Sequence, residues 1–478
     1  MSTKDFETNS QPRRRAKTAQ VVAVLTLLAS LLSCTQESEA PPIEPHPAPT
    51  PERIILILVD TLRRDHVSAY SRLGSNDGSA TPAPAHTPNI DRIAEGGQLF
   101  TNAVSSFHAT TMSVASLFTG LTPSIESTND SKTVKWNTFV ACGLSRFLEN
   151  GTEDACIPNS VTTLAEDMQH AGYWTLGIVS NELLYRPNGY DRGFDSWIEV
   201  GLAKAGQDLD IFQASPIRTA AHVNLNVKAA LAKRPSDRFF LYVHYLDVHD
   251  YGLFKRDYDE NVERFDKQLG VLLDHLEAAG LLAGSTVILT SDHGEILDEK
   301  YANLETGRHF GNPALQPTLE IPLIVKPKTH LDSDVFIRSQ DVRDLIRELT
   351  GFGDPIETEL EADELFLSEM FYRTYRKGRW KSNWPRTNAE PLLFDLQSDP
   401  SETTNLGASP TEQHLVILAT HRERITELSQ LLAAQSDQVP VLDDYDVVRL
   451  RALGYIETTE ESFGKHTSPP PQTDPKTP

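Results

Sequence analysis

Between Ile54 and Val59 six consecutive residues are isoleucine, leucine or valine, and the run stops on the carboxylate of Asp60. An unbroken apolar run of this length fits a strand buried on both faces, the environment found where helices cover both sides of a parallel sheet. In open sheets of that kind ligands gather just beyond the carboxyl ends of the strands, which puts Asp60 on a chemical rim. The stretch from Thr286 to Ser291 has the same build and runs into Asp292, His293, Gly294 and Glu295. Two strand ends delivering Asp and Asp-His to one rim make a hard-metal site; read blandly, both acids are helix N-caps.

The rest of the central chain alternates. Val161 to Gly172 reads as a helix stopped by glycine, Tyr173 to Ser180 as a strand, and Phe239 to Leu246 as another buried strand. Val262, Phe265, Leu269, Leu272, Leu273 and Leu276 recur at helical spacing up to Gly280, and Leu319 to Val325 reads as a strand interrupted by Pro322. This alternation predicts an α/β/α sandwich on a mostly parallel sheet. From residue 352 the pattern turns to short strands, a long helix near 411–435 and a last piece from Val447 to Tyr455, which together read as a smaller α+β subdomain.

Near the start, Arg13, Arg14, Arg15 and Lys17 precede an apolar run from Val21 to Leu32. That is the pattern of a secretory signal, over residues 1–34, and the run is short for a membrane span. It ends Leu31-Leu32-Ser33-Cys34, similar to the bacterial lipoprotein cleavage box. Cys34 is therefore expected as the lipidated first residue of the mature chain, unless the signal is an ordinary one with an incidental cysteine. The expected location is a periplasm-facing or cell-surface lipoprotein of the outer membrane, since Thr35 is not the Asp that accompanies inner-membrane retention. Residues 35–51 read as a proline-rich linker and 458–478 as a disordered tail, leaving 52–351 for the sandwich and 352–457 for the subdomain. The formal net charge is −23, and removing the signal leaves about −26, which argues against nucleic acid as a partner. Cys142 and Cys156 are expected to close one disulfide, worth ~3 kcal/mol for a loop of that size.

Six pieces of the chain, in order, resemble the sulfatase family of the alkaline phosphatase superfamily, over nearly the whole mature chain. They are residues 55–65, 86–103, 240–251 and 286–295, His309 ahead of 320–325, and residues 392–406. The most specific resemblance lies between Thr110 and Gly120. The family signature there is C-x-P-S-R-x-x-L-x-T-G, whose Cys is oxidised to formylglycine. Anchoring on Leu117, Thr119 and Gly120 sets Thr110 on the Cys, Met112 on the Pro and Val114 on the Arg, and keeps Ser113. The family's later Gly-Lys-Trp is Val179-Ser180-Asn181 here. Threonine cannot become formylglycine and offers no second hydroxyl to expel sulfate. A metal-bound threonine alkoxide can still attack phosphorus, an arrangement similar to that of nucleotide pyrophosphatases and phosphoethanolamine transferases. The bland reading of Thr110 is a helix N-cap.

What the resemblance implies about the site follows. One divalent ion is expected on Asp60, Thr110, Asp292 and His293, and a second on Asp247, His249 and His309 as in two-metal members. The ion, whether one or two, is Zn, Mn or Ca, with no formylglycine. Without a second ion, His249 and His309 donate to the substrate oxyanion directly, so both join Thr110 as catalytic residues. His244 reads as a packed core histidine and Asp266 as structural, while no spacing implicates His66, His86 or His108. The implied function is a metal-dependent hydrolase or transferase of sulfate- or phosphate-type esters, which Thr110 turns towards phosphodiester or phosphoryl-group chemistry. Its substrate is a small anionic ester, free or part of a glycan or lipid. The alternative is a catalytically inactive, lipid-anchored binding protein on the same fold.

Overall fold

The computed structural model describes residues 50–71, 85–123, 125–127, 134–136, 157, 161–186, 189–201, 219–252, 255–297, 301, 308–309, 313–353, 356, 363–369 and 372–434. Cys34, Cys142, Cys156 and the piece from Val447 to Tyr455 lie outside the described residues.

The apolar run forms strand β1 (Arg53–Val59) at the centre of a seven-stranded sheet. Its partners are β2 (Gln98–Leu99), β3 (Trp174–Val179), β4 (Ser196–Glu199), β5 (Phe239–Tyr245), β6 (Ser285–Ser291) and β7 (Leu323–Lys326). The spatial order is β2-β7-β6-β1-β5-β3-β4. β1 pairs in parallel with β5 on one side and β6 on the other, and the sheet's antiparallel pairings are those of β7, with β6 and with β2 at one edge. Pro322 does not interrupt a strand from Leu319 as expected. A helical turn occupies Gln316–Leu319, and β7 begins after the proline, which has no N–H to give to a ladder.

Alternation along the central strands divides the core into two layers. Ile54, Leu56, Leu58, Phe240, Tyr242 and Ile288 face helices α2 (Thr110–Thr119), α3 (Leu164–His170) and α6 (Asp341–Leu349). Ile55, Ile57, Val59, Leu241, Val243 and Leu289 face α1 (Pro88–Ala94), α4 (Ala220–Leu231) and α5 (Tyr258–Ala278). The sandwich expected from the alternation is the one observed. Beyond it, β8 (Glu364–Ser368), β9 (Tyr372–Lys377), β10 (Trp380–Pro385) and β11 (Leu392–Asp395) form an antiparallel sheet against which α7 (Glu412–Ala434) packs.

Asp266 has the structural part expected of it, and the reason is visible. From α5 its carboxylate accepts Asn89 N at 3.0 Å and Ile90 N at 2.8 Å, together with Asn89 Nδ2 at 2.9 Å. It therefore satisfies the first amides of α1, which has no side-chain cap of its own. At Gly270, one turn on, a Cβ would sit 2.5 Å from Asn89 Oδ1, so the two helices meet there only because the side chain is missing. Asp266→Ala should lower unfolding stability by about 1–3 kcal/mol, the cost of stranding buried donors. Chemical denaturation checks this, and KM of any active ester should not move.

Candidate active site

Asp60, the tip of β1, and Asp292, just past β6, carry on the same-face rows that run Leu56, Leu58 and Ile288, Thr290. Both carboxylates are fully buried. Neither caps a helix, which removes the bland reading. Asp292 Oδ1 accepts the backbone amides of Thr61 at 3.1 Å and His293 at 2.8 Å. Asp60 Oδ2 accepts Asn181 Nδ2 at 2.8 Å. The other oxygen of each, Asp60 Oδ1 and Asp292 Oδ2, is buried without a hydrogen-bond partner. Burial, and then the negative charge of Asp292, push Asp60 up to about 7. Asp292 goes the other way: burial opposes its charge, but His293, His244 and the two amides hold it below the usual carboxylate range.

His293 Nδ1 lies 2.8 Å from the carbonyl oxygen of Gly294. A carbonyl only accepts, so the proton is on Nδ1 and the Nε2 lone pair faces the carboxylates. Gly294 allows the turn to close, since a Cβ there would stand 2.0 Å from Pro317 O. Nε2 is 3.6 Å from Asp292 Oδ2, and ligand atoms of Asp60, Asp292 and His293 all lie within 4.8 Å of one another. Two orphaned carboxylate oxygens and one imidazole lone pair fit a divalent cation of hard or borderline character.

Thr110 is the first residue of α2, one past the helix cap, which is Ala109 in extended conformation. Its hydroxyl turns away from the helix amides, 3.4 Å from Asp60 Oδ2 and 3.3 Å from His293 Nε2. The turn that sets it there is stitched by Ser113, the retained signature serine, whose Oγ donates to Phe107 O at 2.5 Å. Ser105 bonds both Phe107 O and the backbone oxygen of Asp292, tying the turn to the strand end. Val114, where the family has arginine, is buried in the core layer between α2 and the sheet.

The ligand set expected for a second ion is not assembled. Asp247 accepts the backbone N–H of Ala220 at the start of α4, and its other charged neighbours are Asp250 and Arg264. Among the described residues the only group of three metal-ligating side chains is Asp60, Asp292 and His293. His249 and His309 do reach the site. Their rings are 5.9 Å apart, and that of His309 is 4.8 Å from His293. Burial disfavours charge on His249, but its bond with Asp250 and the charges of Asp60 and Glu295 outweigh it and lift its pKa to about 9. His309 Nδ1 is 2.9 Å from Glu295 Oε1. Burial raises Glu295, yet the adjacent His309 overrides it and keeps the carboxyl below its ordinary range.

Three residues at the site escaped the motif reading. Glu295 closes the Asp-His-Gly-Glu run and orients His309. Asn181, which pins Asp60, stands where the family's Gly-Lys-Trp ends. His244 is in the core, as expected of it, but its Nε2 lies 3.7 Å from Asp60 Oδ2. Its position on the row Phe240, Tyr242, His244 could have revealed this, because that row faces the same layer as Asp60. Of the remaining histidines, His66 pairs with Asp259, His86 is exposed, and His108 is buried 3.8 Å from Glu369 at the end of β8.

Residues 52–342 match the family model for sulfatases. Choline-sulfatase of Rhizobium meliloti is 27% identical over 178 residues, which span 33% of this chain and 33% of that protein. The ulvan-active sulfatase of Formosa agariphila is 22% identical over 546 residues, covering 97% of this chain and 95% of that protein. Among solved structures, the phosphonate monoester hydrolase of Agrobacterium radiobacter has a TM-score of 0.55 at 16% identity, covering 81% of this chain and 97% of that one. At that identity the likeness is one of fold, and it agrees with the expected alkaline-phosphatase-like sandwich.

Proposed function

The chain belongs to the sulfatase family of hydrolases, and from that premise we propose that it cleaves anionic esters with Thr110 as nucleophile, on phosphorus in preference to sulfur. The observation that carries this is the place of the Thr110 hydroxyl, held between Asp60 Oδ2 and His293 Nε2 in the register of the family's formylglycine. A divalent cation on Asp60, Asp292 and His293 would supply Lewis acidity, lowering the hydroxyl pKa and drawing charge from the ester.

The residues of the chain account for the remaining demands. Asp60 Oδ2 is the acceptor available for the Thr110 proton. As Thr110 Oγ1 bonds to phosphorus, the bond to the leaving alkoxide breaks, and His249, held charged, donates the proton that oxygen needs. Water then attacks the phosphothreonine, passes its proton to the neutral His249 and releases Thr110, which regains its proton from Asp60. Negative charge on the other substrate oxygens is met by His249 and His309, because Val114 and Ser180 bring no cation. A sulfothreonine would lack the second hydroxyl through which formylglycine expels sulfate, and this is why phosphorus is favoured. The phosphonate monoester hydrolase of the same fold and the ulvan-active and choline sulfatases mark the two chemistries to compare.

The test is a panel of aryl phosphodiesters, phosphonates and sulfates, with mass analysis of the Thr110 peptide after acid quench. Phosphorus esters should turn over fastest and leave a phosphoryl adduct on that peptide. A clear preference for sulfate esters would overturn the phosphorus reading. No turnover of any ester, together with no bound metal, would favour the inactive binding protein.

A further inference from the structure

Arg308 immediately precedes His309, and its carbonyl oxygen accepts the backbone N–H of Ile296, the residue after Glu295, at 2.6 Å. With the two segments joined there, the His309 ring comes to His293, and the Arg308 side chain reaches the turn that carries His249. The guanidinium carbon lies 4.8 Å from the centre of the Tyr251 ring. Beside it is Gly252, where a Cβ would overlap Arg308 Nη2 and stand 3.0 Å from Cζ. His249–Tyr251 is a 3-10 helical turn, which Gly252 continues with φ of −66° and ψ of −38°. In such a turn side chains three residues apart eclipse, about 6 Å from each other along the axis. The place that a side chain at 252 would take is therefore one turn beyond His249 and on the same side. Gly252 leaves that place open, and the guanidinium fills it.

The charge of this group is not spent within the protein. Arg308 is exposed, and among the described residues no carboxylate forms an ion pair with it. Arg63, whose Nη1 reaches Glu295 O at 3.2 Å, is by contrast committed to Asp65, with Nη2 2.7 Å from Oδ2. A guanidinium set between an aromatic ring and a glycine, with no anion of its own, is held ready for one. Its planar fork suits carboxylate, sulfate or phosphate groups.

We infer that Arg308 determines substrate specificity by binding an anionic group on the leaving alcohol of the ester, about one helical turn from the oxygen that His249 protonates. The inference rests on the reading of His249 as the donor to the leaving oxygen. It names the substrate class that this site serves, an ester whose alcohol carries a second oxyanion. The oxygens of the reacting group itself stay with His249 and His309, one turn further in.

The test uses the full chain and two ester series, phosphodiesters and sulfates, whose leaving phenol carries a meta carboxylate, sulfonate or carboxamide. The readout is the ratio of kcat/KM for each anionic phenol to that for the neutral carboxamide, within one series. In the wild type one or both anions should be favoured by about five- to tenfold, the scale of a partly exposed guanidinium pair, and high salt should shrink the ratio. Arg308→Met should bring the ratio to about one, chiefly through KM, and Arg308→Lys should keep part of it because the charge remains. Gly252→Ala keeps every charge and suits the backbone there, but its methyl displaces the guanidinium, so the ratio should fall again. A ratio of about one in the wild type would overturn the inference. So would equal losses on charged and neutral esters in Arg308→Met, the mark of a merely structural arginine. A preference confined to the sulfate series would upset the phosphorus reading and leave Arg308 in its role. If neither series turns over, the hydrolase reading fails by itself, and calorimetric binding of the product phenols decides for Arg308. Tighter binding of meta-hydroxybenzoate than of meta-hydroxybenzamide, lost in Arg308→Met, would uphold the assignment, and equal binding of the two would overturn it.

Discussion

Thr110→Ala should lower kcat by about 10³-fold or more while KM changes little, the pattern of an interaction made only in the transition state. In the proposed mechanism the Thr110 hydroxyl is the attacking group. It leaves the helix amides unserved in order to stand 3.4 Å from Asp60 and 3.3 Å from His293. Its removal takes away the bond-forming oxygen and leaves the binding groups His249 and His309 in place. Thr110→Ser keeps the oxygen and should retain a large part of the rate, losing only the methyl that limits its rotamers. Steady-state kinetics on the fastest ester of the panel, with both variants, gives the comparison. Near-wild-type turnover in the alanine variant would remove Thr110 from the nucleophile's role.

The largest effect on stability should come from a buried ion pair of the C-terminal sheet. Lys381 of β10 and Glu402 are both fully buried, with Nζ 2.7 Å from Oε1. Glu402 also accepts the backbone N–H of Gln316 at 2.6 Å, and Lys381 reaches Gln316 Oε1 at 3.2 Å. Gln316 opens the helical turn ahead of β7, so this cluster joins the C-terminal sheet to the sandwich. Breaking a buried pair by removing one partner costs roughly 3–5 kcal/mol, because the remaining charge is left in a low-dielectric interior. Glu402→Leu strands the ammonium and should show the full loss. Lys381→Met should show a loss that depends on pH. Burial already raises the Glu402 pKa, with Lys381 opposing the rise. Without the lysine the carboxyl titrates still higher in the folded protein than in the unfolded chain. Stability is then retained at pH values below the unfolded pKa, about 4.3, and falls as pH rises. Calorimetric melts at pH 5 and pH 8 distinguish the cases. Equal losses at the two pH values would show that Glu402 finds another cation.

The residues that make the site were largely present as local pattern. An aliphatic run ending on Asp60, a second ending on Asp292 and His293, and Thr110 set by Leu117, Thr119 and Gly120 all depend on spacing within one segment, and linear order suffices to read them. The alternation of strands and helices predicted the layers for the same reason, since each element buries a face that its own sequence defines. What tertiary structure decided was which neighbour each group meets. His244 is 184 positions from Asp60 in the chain, yet parallel pairing of β5 with β1 places the two side chains on one face. Asn181 reaches Asp60 from β3's end across the strand between them. Asp247 has the residue type and spacing of a ligand, but the chain turns after β5 and its carboxylate accepts the backbone N–H of Ala220 at the start of α4, outside the group formed by Asp60, Asp292 and His293. Side-chain direction at a strand end is set by register and by the turn that follows, and neither is a property of the residue or of its spacing.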